Sequence, residues 1–355
     1  MKIIFLDGDG IGPEIISATR KVVKAASHRF NLGLEIETSD SGLSSLDRNG
    51  STIPDFTWKK AVEADGIVLG PADTAAYPDP ADGGINPSAK LRGGLDLYAN
   101  IRPSKTRPGV PAAVDEMDLV IFRENTEGFY AVRNMHKGNG EFMPSEDMAI
   151  SIRRITRECS ERIARQACEL AIKRRGRLSI VHKSNVLTMS DGFFVEVCRE
   201  VASHYKVEVE DYFVDAMAAL LVRKPSHFDV IVTTNLFGDI LSDLAAELTG
   251  GLGLGPSVNA GHKHAMAQAA HGAAPDIAGQ NIANPTAMIL SAAMLVETLG
   301  IRQNRPEFLE ASTRIDKVVN EQLSNINTRT PDLGGQLSTD AFGEQVAEKI
   351  RSTDP

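Results

Sequence analysis

Short apolar runs that alternate with helix-like segments constrain the fold of this chain more than any other feature of its sequence. Four of these runs have the length of one buried strand, and they lie at residues 3–6, 67–70, 178–181 and 228–232. After the first run, apolar side chains recur at helical spacing, and Pro13 suits the first turn of a helix. The alternation predicts an α/β fold, with a largely parallel sheet covered by helices.

Composition and charge exclude several classes of function. The chain has 355 residues, of which 42% are hydrophobic, enough for one or two sizeable cores. Its formal net charge of -9 argues against nucleic acid or an anionic membrane surface as the main partner. No apolar segment has the length of a signal peptide core or a membrane span, and the three cysteines form no CxxC motif. We therefore expect a cytoplasmic protein that acts on a small molecule.

A glycine-rich turn follows the first predicted strand without matching the dinucleotide-binding fingerprint. Gly8, Gly10 and Gly12 give the pattern GxGxG, whereas the third glycine of GxGxxG would fall at Pro13. We interpret these glycines as a tight strand-to-helix turn that can line a cleft.

Three aspartates indicate a metal site. Asp239 and Asp243 follow the apolar run at 228–232, and their spacing places both on one helix face, where like charges repel by roughly 0.2–0.5 kcal/mol. A solvated pair is the alternative, but ligands commonly bind at the carboxyl ends of strands in open α/β sheets. Asp215 ends another strand pattern. Carboxylate oxygens suit Mg²⁺ or Mn²⁺.

Arginines and two further titratable residues indicate the kind of substrate. Arg92, Arg102 and Arg123 lie in or near apolar strand contexts, where a guanidinium group binds a carboxylate through two hydrogen bonds. Surface ion pairs are the alternative for each of them. Tyr130 and Lys183 are candidate proton donors and acceptors. Together these residues predict an anionic substrate.

Six longer motifs resemble those of the β-decarboxylating dehydrogenases, the isocitrate, 3-isopropylmalate, homoisocitrate and tartrate/D-malate enzymes. In chain order the motifs lie at residues 8–14, 96–103, 123–130, 182–186, 235–243 and 271–279. The resemblance extends over nearly the whole chain. It implies an isocitrate/isopropylmalate dehydrogenase-like two-domain fold and a homodimer with shared active sites.

The resemblance also implies an interleaved chain path and a non-Rossmann NAD site. Residues 1–97 plus 254–355 would form a large cofactor-binding domain. Residues 98–253 would form a small domain for dimerisation, metal and substrate. This expectation agrees with the absence of GxGxxG at the first turn.

Roles follow from the resemblance by position. The substrate-binding residues would be Asn86, Ser88, Arg92, Arg102, Arg123 and Asn185. The metal ligands would be Asp239 and Asp243 with Asp215 of the other subunit. The catalytic residues would be Tyr130, Lys183 and Asp215, with Lys183 and Asn185 coming from the other subunit. The cofactor-binding residues would be Thr74, His271, Gly272, Ala273, Ala274, Asp276, Ile277 and Asn284.

The family's chemistry gives these roles a physical reason. In the reaction that the resemblance implies, hydride would pass from the C2 carbinol to NAD⁺ while Lys183, through Asp215, would take the hydroxyl proton. The β-carboxylate would then depart as CO₂, Mg²⁺ or Mn²⁺ would supply Lewis-acid stabilisation, and Tyr130 would protonate the resulting enolate carbon. Asp276 would repel a 2′-phosphate, which favours NAD over NADP.

The identity of the substrate stays open among the substituted malates. Asn86 and Ser88 precede the first clamp arginine and favour a polar third substituent, as in isocitrate or homoisocitrate. The alternatives are 3-isopropylmalate, the substrate in leucine biosynthesis, and tartrate or D-malate. Relatives generally have Phe-Glu where this chain has Ala267-Gln268. A catalytically silent subunit is a further alternative, against which the intact aspartate triad, Tyr130 and Lys183 argue.

Overall fold

One mixed ten-stranded sheet organises the protein, whose computed structural model describes residues 1–130 and 140–352. A separate two-stranded hairpin is formed by β6 and β7. The strands are β1 (Lys2–Leu6), β2 (Glu35–Ser39), β3 (Gly66–Leu69), β4 (Ala99–Lys105), β5 (Asp118–Glu124), β6 (Glu141–Ser145), β7 (Met148–Ser151), β8 (Arg177–His182), β9 (Glu208–Phe213), β10 (Val230–Thr233), β11 (Val258–Ala260) and β12 (Ala265–Ala267).

The strand order is β2-β1-β3-β12-β11-β4-β5-β10-β8-β9. The outer strands on both sides pair in parallel, as the sequence predicts. The centre differs from a purely parallel sheet, because β12, β11, β4 and β5 pair with one another in antiparallel fashion. Strands β11 and β12 have three residues each, too few to leave a recognisable alternation in the sequence.

Eleven helices lie in the described part of the chain. They are α1 (Gly12–Arg29), α2 (Leu43–Asn49), α3 (Asp55–Glu63), α4 (Pro87–Gly94), α5 (Arg157–Lys173), α6 (Ser190–Ala202), α7 (Val214–Arg223), α8 (Asn235–Leu248), α9 (Thr286–Gln303), α10 (Pro306–Ser324) and α11 (Thr339–Arg351). Helix α1 has Pro13 in its first turn, as predicted. All three cysteines are buried and unpaired.

Alternation along β5 separates the two faces of the sheet. Phe122 packs in one hydrophobic cluster with residues of α5 and α6, whereas Ile121 packs in another with residues of α7 and α8. Arg123 therefore shares the α8 face with Ile121. A groove of about 440 Å³ lies on the α5 face and is lined by Ile101 and Phe122. The arginines that follow these two residues in sequence lie on the opposite side.

The largest hydrophobic cluster joins the two ends of the chain. It combines residues of β1, α1, α9, α10 and α11. No helix within residues 1–130 and 140–352 has the length and apolar character needed to cross a bilayer. The division into 1–97 plus 254–355 and 98–253 stays a prediction.

Candidate active site

Helix α8 presents one polar face to strands β4 and β5. Asn235, Asp239, Ser242 and Asp243 share this face, and the helix approaches the sheet closely at Gly238. A Cβ atom at that glycine would lie 2.6 Å from the Cβ atom of the arginine on β5. Any larger residue would push the helix away from the strand, so the glycine sets the spacing of the polar groups.

Arg123 is buried beneath this helix face, with 2% of its surface exposed. Its Nε and Nη2 groups donate to Asn235 Oδ1 over 2.9 and 2.7 Å. Its Nη1 group forms an ion pair with Asp239. Tyr130 donates its hydroxyl to the other oxygen of Asp239 over 3.3 Å, and the guanidinium lies 5.5 Å from the Tyr130 ring centroid. Buried charge is thus paired and hydrogen-bonded, as burial requires.

Arg102 on β4 is the second buried arginine of the cluster, with 6% exposure. Its Nη1 group donates to Ser242 Oγ over 2.7 Å and to Asp243 over 3.1 Å. Asp239 lies 3.3 Å from the same nitrogen, and Asn100 accepts from Nε over 3.2 Å. One guanidinium group therefore contacts both aspartates of α8.

Burial and mutual charge shift the acidities within this cluster. Burial and the neighbouring Arg123 lower the pKa of Arg102 to about 10, against the opposing effect of the two aspartates. Burial raises the pKa of Asp243, while Arg102 acts in the opposite direction. The two arginines and the two aspartates together carry no net formal charge. The cluster can therefore bind a cation at the aspartates and an anion at the arginines.

The third predicted clamp residue, Arg92, has a different setting on α4. Asn86 caps this helix, its Oδ1 accepting from Ala89 N over 3.0 Å. Ser88 Oγ and Arg92 Nη2 both donate to Gln268 Oε1, over 2.9 and 3.0 Å. The oxygen of Asn86 thus caps the start of the helix, and the side chains of Ser88 and Arg92 converge on Gln268, which lies 180 residues after Ser88.

The loop after β12, which contains residues 271–279, contacts the glycine turn after β1. Ile11 N donates to Ala273 O over 2.9 Å, and Gly10 has a φ of +56°. A Cβ atom on Gly10 would lie 1.9 Å from Ala273 O, so glycine is required there. Ala274 is itself left-handed, with φ of 40°. The turn supports the predicted cofactor loop through backbone contacts.

Some polar groups of this loop have hydrogen-bond partners within the protein, and one does not. Asn284 donates to Asp332 over 2.9 Å and accepts from Thr286 N over 3.0 Å. His271 Nδ1 lies 3.0 Å from Gly272 O, and burial lowers the pKa of this imidazole. Within the described residues, His271 Nε2 is buried without a hydrogen-bond partner. An unpaired buried nitrogen fits a loop that hydrogen-bonds a ligand.

Three of the four remaining predicted cofactor residues lie at the surface of this region. Asp276 and Thr74 are exposed, as is Gly272, whereas Ile277 packs against the core. An exposed carboxylate at Asp276 fits recognition of ribose hydroxyl groups. The loop fits a dinucleotide held without the GxGxxG turn.

Asp9, in the middle of the glycine turn, holds the loop that carries Thr74. Its carboxylate is buried and accepts from Leu43 N over 2.6 Å and from Asp73 N over 2.9 Å. The hydroxyl of Tyr77 donates to the same carboxylate. Sequence reasoning did not find this role, although an acidic residue between two glycines was the available signal.

Lys183 and Asp215 form a second, separate pair. Lys183 Nζ lies 2.6 Å from Asp215 Oδ1, and this hydrogen bond lowers the pKa of the aspartate. Asn185 is exposed on the turn that follows. Within residues 1–130 and 140–352 of a single chain, no group of three His, Cys, Asp or Glu side chains could hold a metal ion. The structure thus brings Asp239 and Asp243 together, and it places Asp215 with Lys183.

A buried ion pair connects the Lys183 segment to the start of α8. Asp191 accepts from Lys183 N over 2.7 Å and pairs with Arg153. Arg153 also donates to Thr234 Oγ1 over 3.1 Å, immediately before α8. Sequence patterns did not indicate this link, because Arg153 lies 38 residues from Asp191 and 81 residues from Thr234 and belongs to no motif.

The donor chemistry of α8 fits a hard divalent cation. Asp239 and Asp243 supply carboxylate oxygens from adjacent helical turns, and their side chains keep 33% and 47% exposure. Mg²⁺ and Mn²⁺ prefer oxygen ligands and retain water, so two carboxylates at a partly open position suit them. A third protein ligand would have to come from elsewhere.

A family model described as isocitrate/isopropylmalate dehydrogenase matches residues 2–346. The chain belongs to this family. Members are decarboxylating dehydrogenases that act on a CH–OH group of a small molecule, and this enzyme is one of them.

Similar members of the isocitrate/isopropylmalate dehydrogenase family carry different substrate names. The isocitrate/homoisocitrate dehydrogenase of Thermus thermophilus is 44% identical, over 99% of both chains. The 3-isopropylmalate dehydrogenase of Sulfurisphaera tokodaii is 40% identical, over 98% of both chains. The crystal structure of isocitrate dehydrogenase from Methylococcus capsulatus matches with a TM-score of 0.87 and 39% identity, over 99% of both chains. The family and fold are shared by all three, whereas the substrate is not.

Glu127 lies in the sequence between Arg123 on β5 and Tyr130, and its acidity affects stability. Glu127 is buried and accepts from Thr156 N and Oγ1 over 3.0 and 2.9 Å. Burial, reinforced by Glu124, raises its pKa to about 7. A raised pKa stabilises the fold at low pH, and this contribution is lost as the pH rises from about 4.5 to about 7.

We expect the free energy of unfolding to fall by roughly 1–3 kcal/mol across that interval in the wild type, and by less in Glu127→Gln, which cannot ionise. Urea unfolding at a fixed protein concentration between pH 5 and pH 8 measures both slopes. The other titrating groups are common to the two proteins, so the difference isolates Glu127. Superimposable pH profiles would contradict the assignment.

Proposed function

We propose that the enzyme oxidises the 2-hydroxyl group of a substituted malate with NAD⁺ and removes the β-carboxylate as CO₂, with isocitrate or homoisocitrate favoured as substrate. The observation that carries the proposal is the packing of Arg102 and Arg123 against Asp239 and Asp243. Anion-binding and cation-binding groups thereby lie within one hydrogen-bonded cluster. A malate bears carboxylates for the arginines and a hydroxyl group for the cation.

In this proposal the buried arginines orient the substrate. Their positions are fixed by Asn235, Ser242 and Asn100 rather than by the aspartates alone. Each guanidinium can therefore turn a donor towards a substrate carboxylate without losing its anchor. Fixed orientation lowers the entropy cost of reaching the reactive geometry.

Proton transfer is assigned to Tyr130 and Lys183. Tyr130 lies beside the cluster, with its hydroxyl 3.3 Å from Asp239, and would protonate the carbon that loses CO₂. Lys183 holds its hydrogen bond to Asp215 and would take the hydroxyl proton along that contact. Mg²⁺ or Mn²⁺, held by Asp239, Asp243 and Asp215, would supply Lewis-acid stabilisation of the negative charge that develops on oxygen.

A homodimer with shared sites would bring the two groups of residues together. The Lys183–Asp215 pair forms its own contact within one chain, away from the contacts of Asp243. The β6–β7 hairpin exposes Phe142, Met143 and Met148, by 46%, 65% and 52%. A cluster of exposed apolar side chains is typical of a protein interface, which supports pairing through this central segment.

The choice of a polar substrate rests on α4. Asn86 and Ser88 offer polar side chains where an alkyl-selective site would present apolar ones. Isocitrate and homoisocitrate end in a third carboxylate, which such donors suit. 3-Isopropylmalate is the alternative, because relatives of about equal identity carry that name. Tartrate and D-malate, the smallest of the candidate substrates, are a second alternative.

The direct test measures NADH formation with Mn²⁺ and five acids: isocitrate, homoisocitrate, 3-isopropylmalate, D-malate and tartrate. We expect the highest kcat/KM with isocitrate or homoisocitrate, and loss of activity after chelation that Mn²⁺ restores. The highest value with 3-isopropylmalate would replace the favoured substrate by the alternative. Undiminished turnover after prolonged chelation would refute the metal chemistry.

Cofactor preference gives a second test. Asp276 is exposed on the loop after His271, where its charge repels a 2′-phosphate. We expect kcat/KM for NAD⁺ to exceed that for NADP⁺ by at least about tenfold. Asp276→Asn, which keeps the shape and removes the charge, should reduce this ratio without changing the KM for the acid substrate. Equal values for both cofactors in the wild type would contradict the assignment.

Hybrid dimers test the sharing of sites. Asp215→Asn and Asp243→Asn homodimers should each be inactive, because each site would lack one metal ligand. In a dimer with one chain of each kind, one site would carry both changes and the other neither. Random reassociation of equal amounts should therefore restore about a quarter of wild-type activity. Mixtures that reassociate and stay inactive would show that each chain completes its own site.

A further inference from the structure

The glycine turn after β1 holds two loops at once. Ile11 N donates over 2.9 Å to Ala273 O, in the loop after β12. Two positions earlier, Asp9 N donates over 2.8 Å to the carbonyl oxygen of Pro71, at the start of the loop between β3 and α4 that carries Thr74. Both predicted cofactor loops are therefore fixed to one short backbone segment, which sets the distance between them.

The carboxylate of Asp9 extends this connection further into the β3–α4 loop. One of its oxygens accepts from Asp73 N over 2.9 Å and also accepts the hydroxyl hydrogen of Tyr77. The other oxygen accepts from Leu43 N over 2.6 Å, which fixes the orientation of the carboxylate. Burial, together with the hydrogen bond to Asp9, raises the pKa of Tyr77, so the phenol stays protonated and remains a donor at neutral pH.

Tyr77 anchors only the first half of the β3–α4 loop. Residues 74–82 are all exposed except Tyr77, which is partly buried. The second half of the loop has its own anchor in Thr52, which donates to Gly83 O through its backbone N over 3.0 Å and through its hydroxyl over 3.2 Å. Loss of the Tyr77 hydroxyl should therefore loosen the first half and leave the second half in place.

Each of the two loops offers a polar group to a ligand. Thr74 is exposed on the β3–α4 loop, and His271 Nε2, on the loop after β12, is buried without a hydrogen-bond partner among the described residues. A ligand that contacts both loops binds more tightly when their separation is already correct, because binding then imposes less order on the chain. The hydrogen bond from Tyr77 supplies this order in advance.

We propose that Tyr77 is a positioning residue for the dinucleotide, and that its hydrogen bond to Asp9 holds Thr74 at a fixed distance from the loop after β12. This role rests on the proposed function, which assigns NAD⁺ to these two loops. Tyr77 acts through the backbone of its loop rather than through contact with the cofactor. Without its hydroxyl, a smaller fraction of molecules has the loop in the binding conformation, and the apparent Kd rises in inverse proportion to that fraction.

Tyr77→Phe removes only the hydroxyl group, and Thr52→Val is the matched control that removes a hydroxyl group from the other anchor of the same loop. Fluorescence titration with NADH measures the Kd without any acid substrate. We expect Tyr77→Phe to raise this Kd at least about fivefold, because a hydrogen bond to a charged group is lost. Thr52→Val should change it by less than about twofold, because the contacts with Asp9 remain.

Steady-state kinetics separate positioning from catalysis. In Tyr77→Phe the KM for NAD⁺ should rise with the Kd, whereas kcat at saturating NAD⁺ should change by less than about twofold, because the bound cofactor restores the loop conformation. The KM for the acid substrate should also stay within about twofold of the wild-type value, since Thr52 still holds the half of the loop that precedes α4.

Hydrogen exchange locates the loosened segment. In Tyr77→Phe the amide of Asp73, which donates to Asp9, should exchange faster than in the wild type, and saturating NADH should slow it again. In Thr52→Val the faster exchange should appear instead at residues 83–85, next to the contact that is lost.

An unchanged Kd for NADH in Tyr77→Phe would overturn the role. Equal increases in both variants would also overturn it, because they would indicate general loosening of the loop. If circular dichroism shows that Tyr77→Phe does not fold, Asp9→Asn tests the same contact. Its neutral amide is a weaker acceptor for Tyr77 and should raise the Kd at least about threefold, and an unchanged Kd would overturn the role.

Failure of the proposed function gives a different result. A wild type that binds no NADH would refute the proposed cofactor, and the role of Tyr77 with it. A wild type that binds NADH but oxidises none of the five acids would refute the proposed substrates, whereas the Kd values of the two variants would still decide the role of Tyr77.

Discussion

Two buried guanidinium groups on neighbouring strands determine what the residues around them must be. Arg102 and Arg123 lie almost entirely below the surface, where an unpaired charge would be strongly unfavourable. Helix α8 meets this requirement with two aspartates, an asparagine and a serine on one face. Gly238 permits the close approach that these contacts need. The polar composition of α8, its distance from the sheet and the position of Tyr130 all follow from pairing these arginines.

Much of this arrangement could be predicted from local sequence. Buried strands followed by turns gave the α/β class, and the spacing of Asp239 and Asp243 predicted that they share one helix face. Arg102 and Arg123 were predicted as binders of an anionic substrate because they are arginines within apolar, strand-like segments. These features depend on residues close together in the chain, where strand and helix periodicity is directly readable.

The features that escaped prediction depend on distant contacts. The antiparallel centre of the sheet rests on two three-residue strands whose pairing is set by tertiary structure. Gln268 meets Ser88 across 180 residues, and Asp191 pairs with Arg153 without any motif. Asn86 was predicted from its position to bind substrate, and the structure adds that its oxygen caps α4. Side-chain pairing at such separation is fixed by the folded backbone and leaves no local pattern.

The order of strands in the sheet has a consequence for how the protein is made. Strands β3 and β4 are close in sequence, yet β12 and β11 lie between them in the sheet. About 160 residues separate the end of β4 from β12, so the ribosome needs roughly 8–30 s to supply the missing strands. During that interval the facing edges of β3 and β4 remain unpaired, which exposes them to pairing with other chains. This topology therefore requires that the edges of β3 and β4 be protected from other chains while the protein is being synthesised.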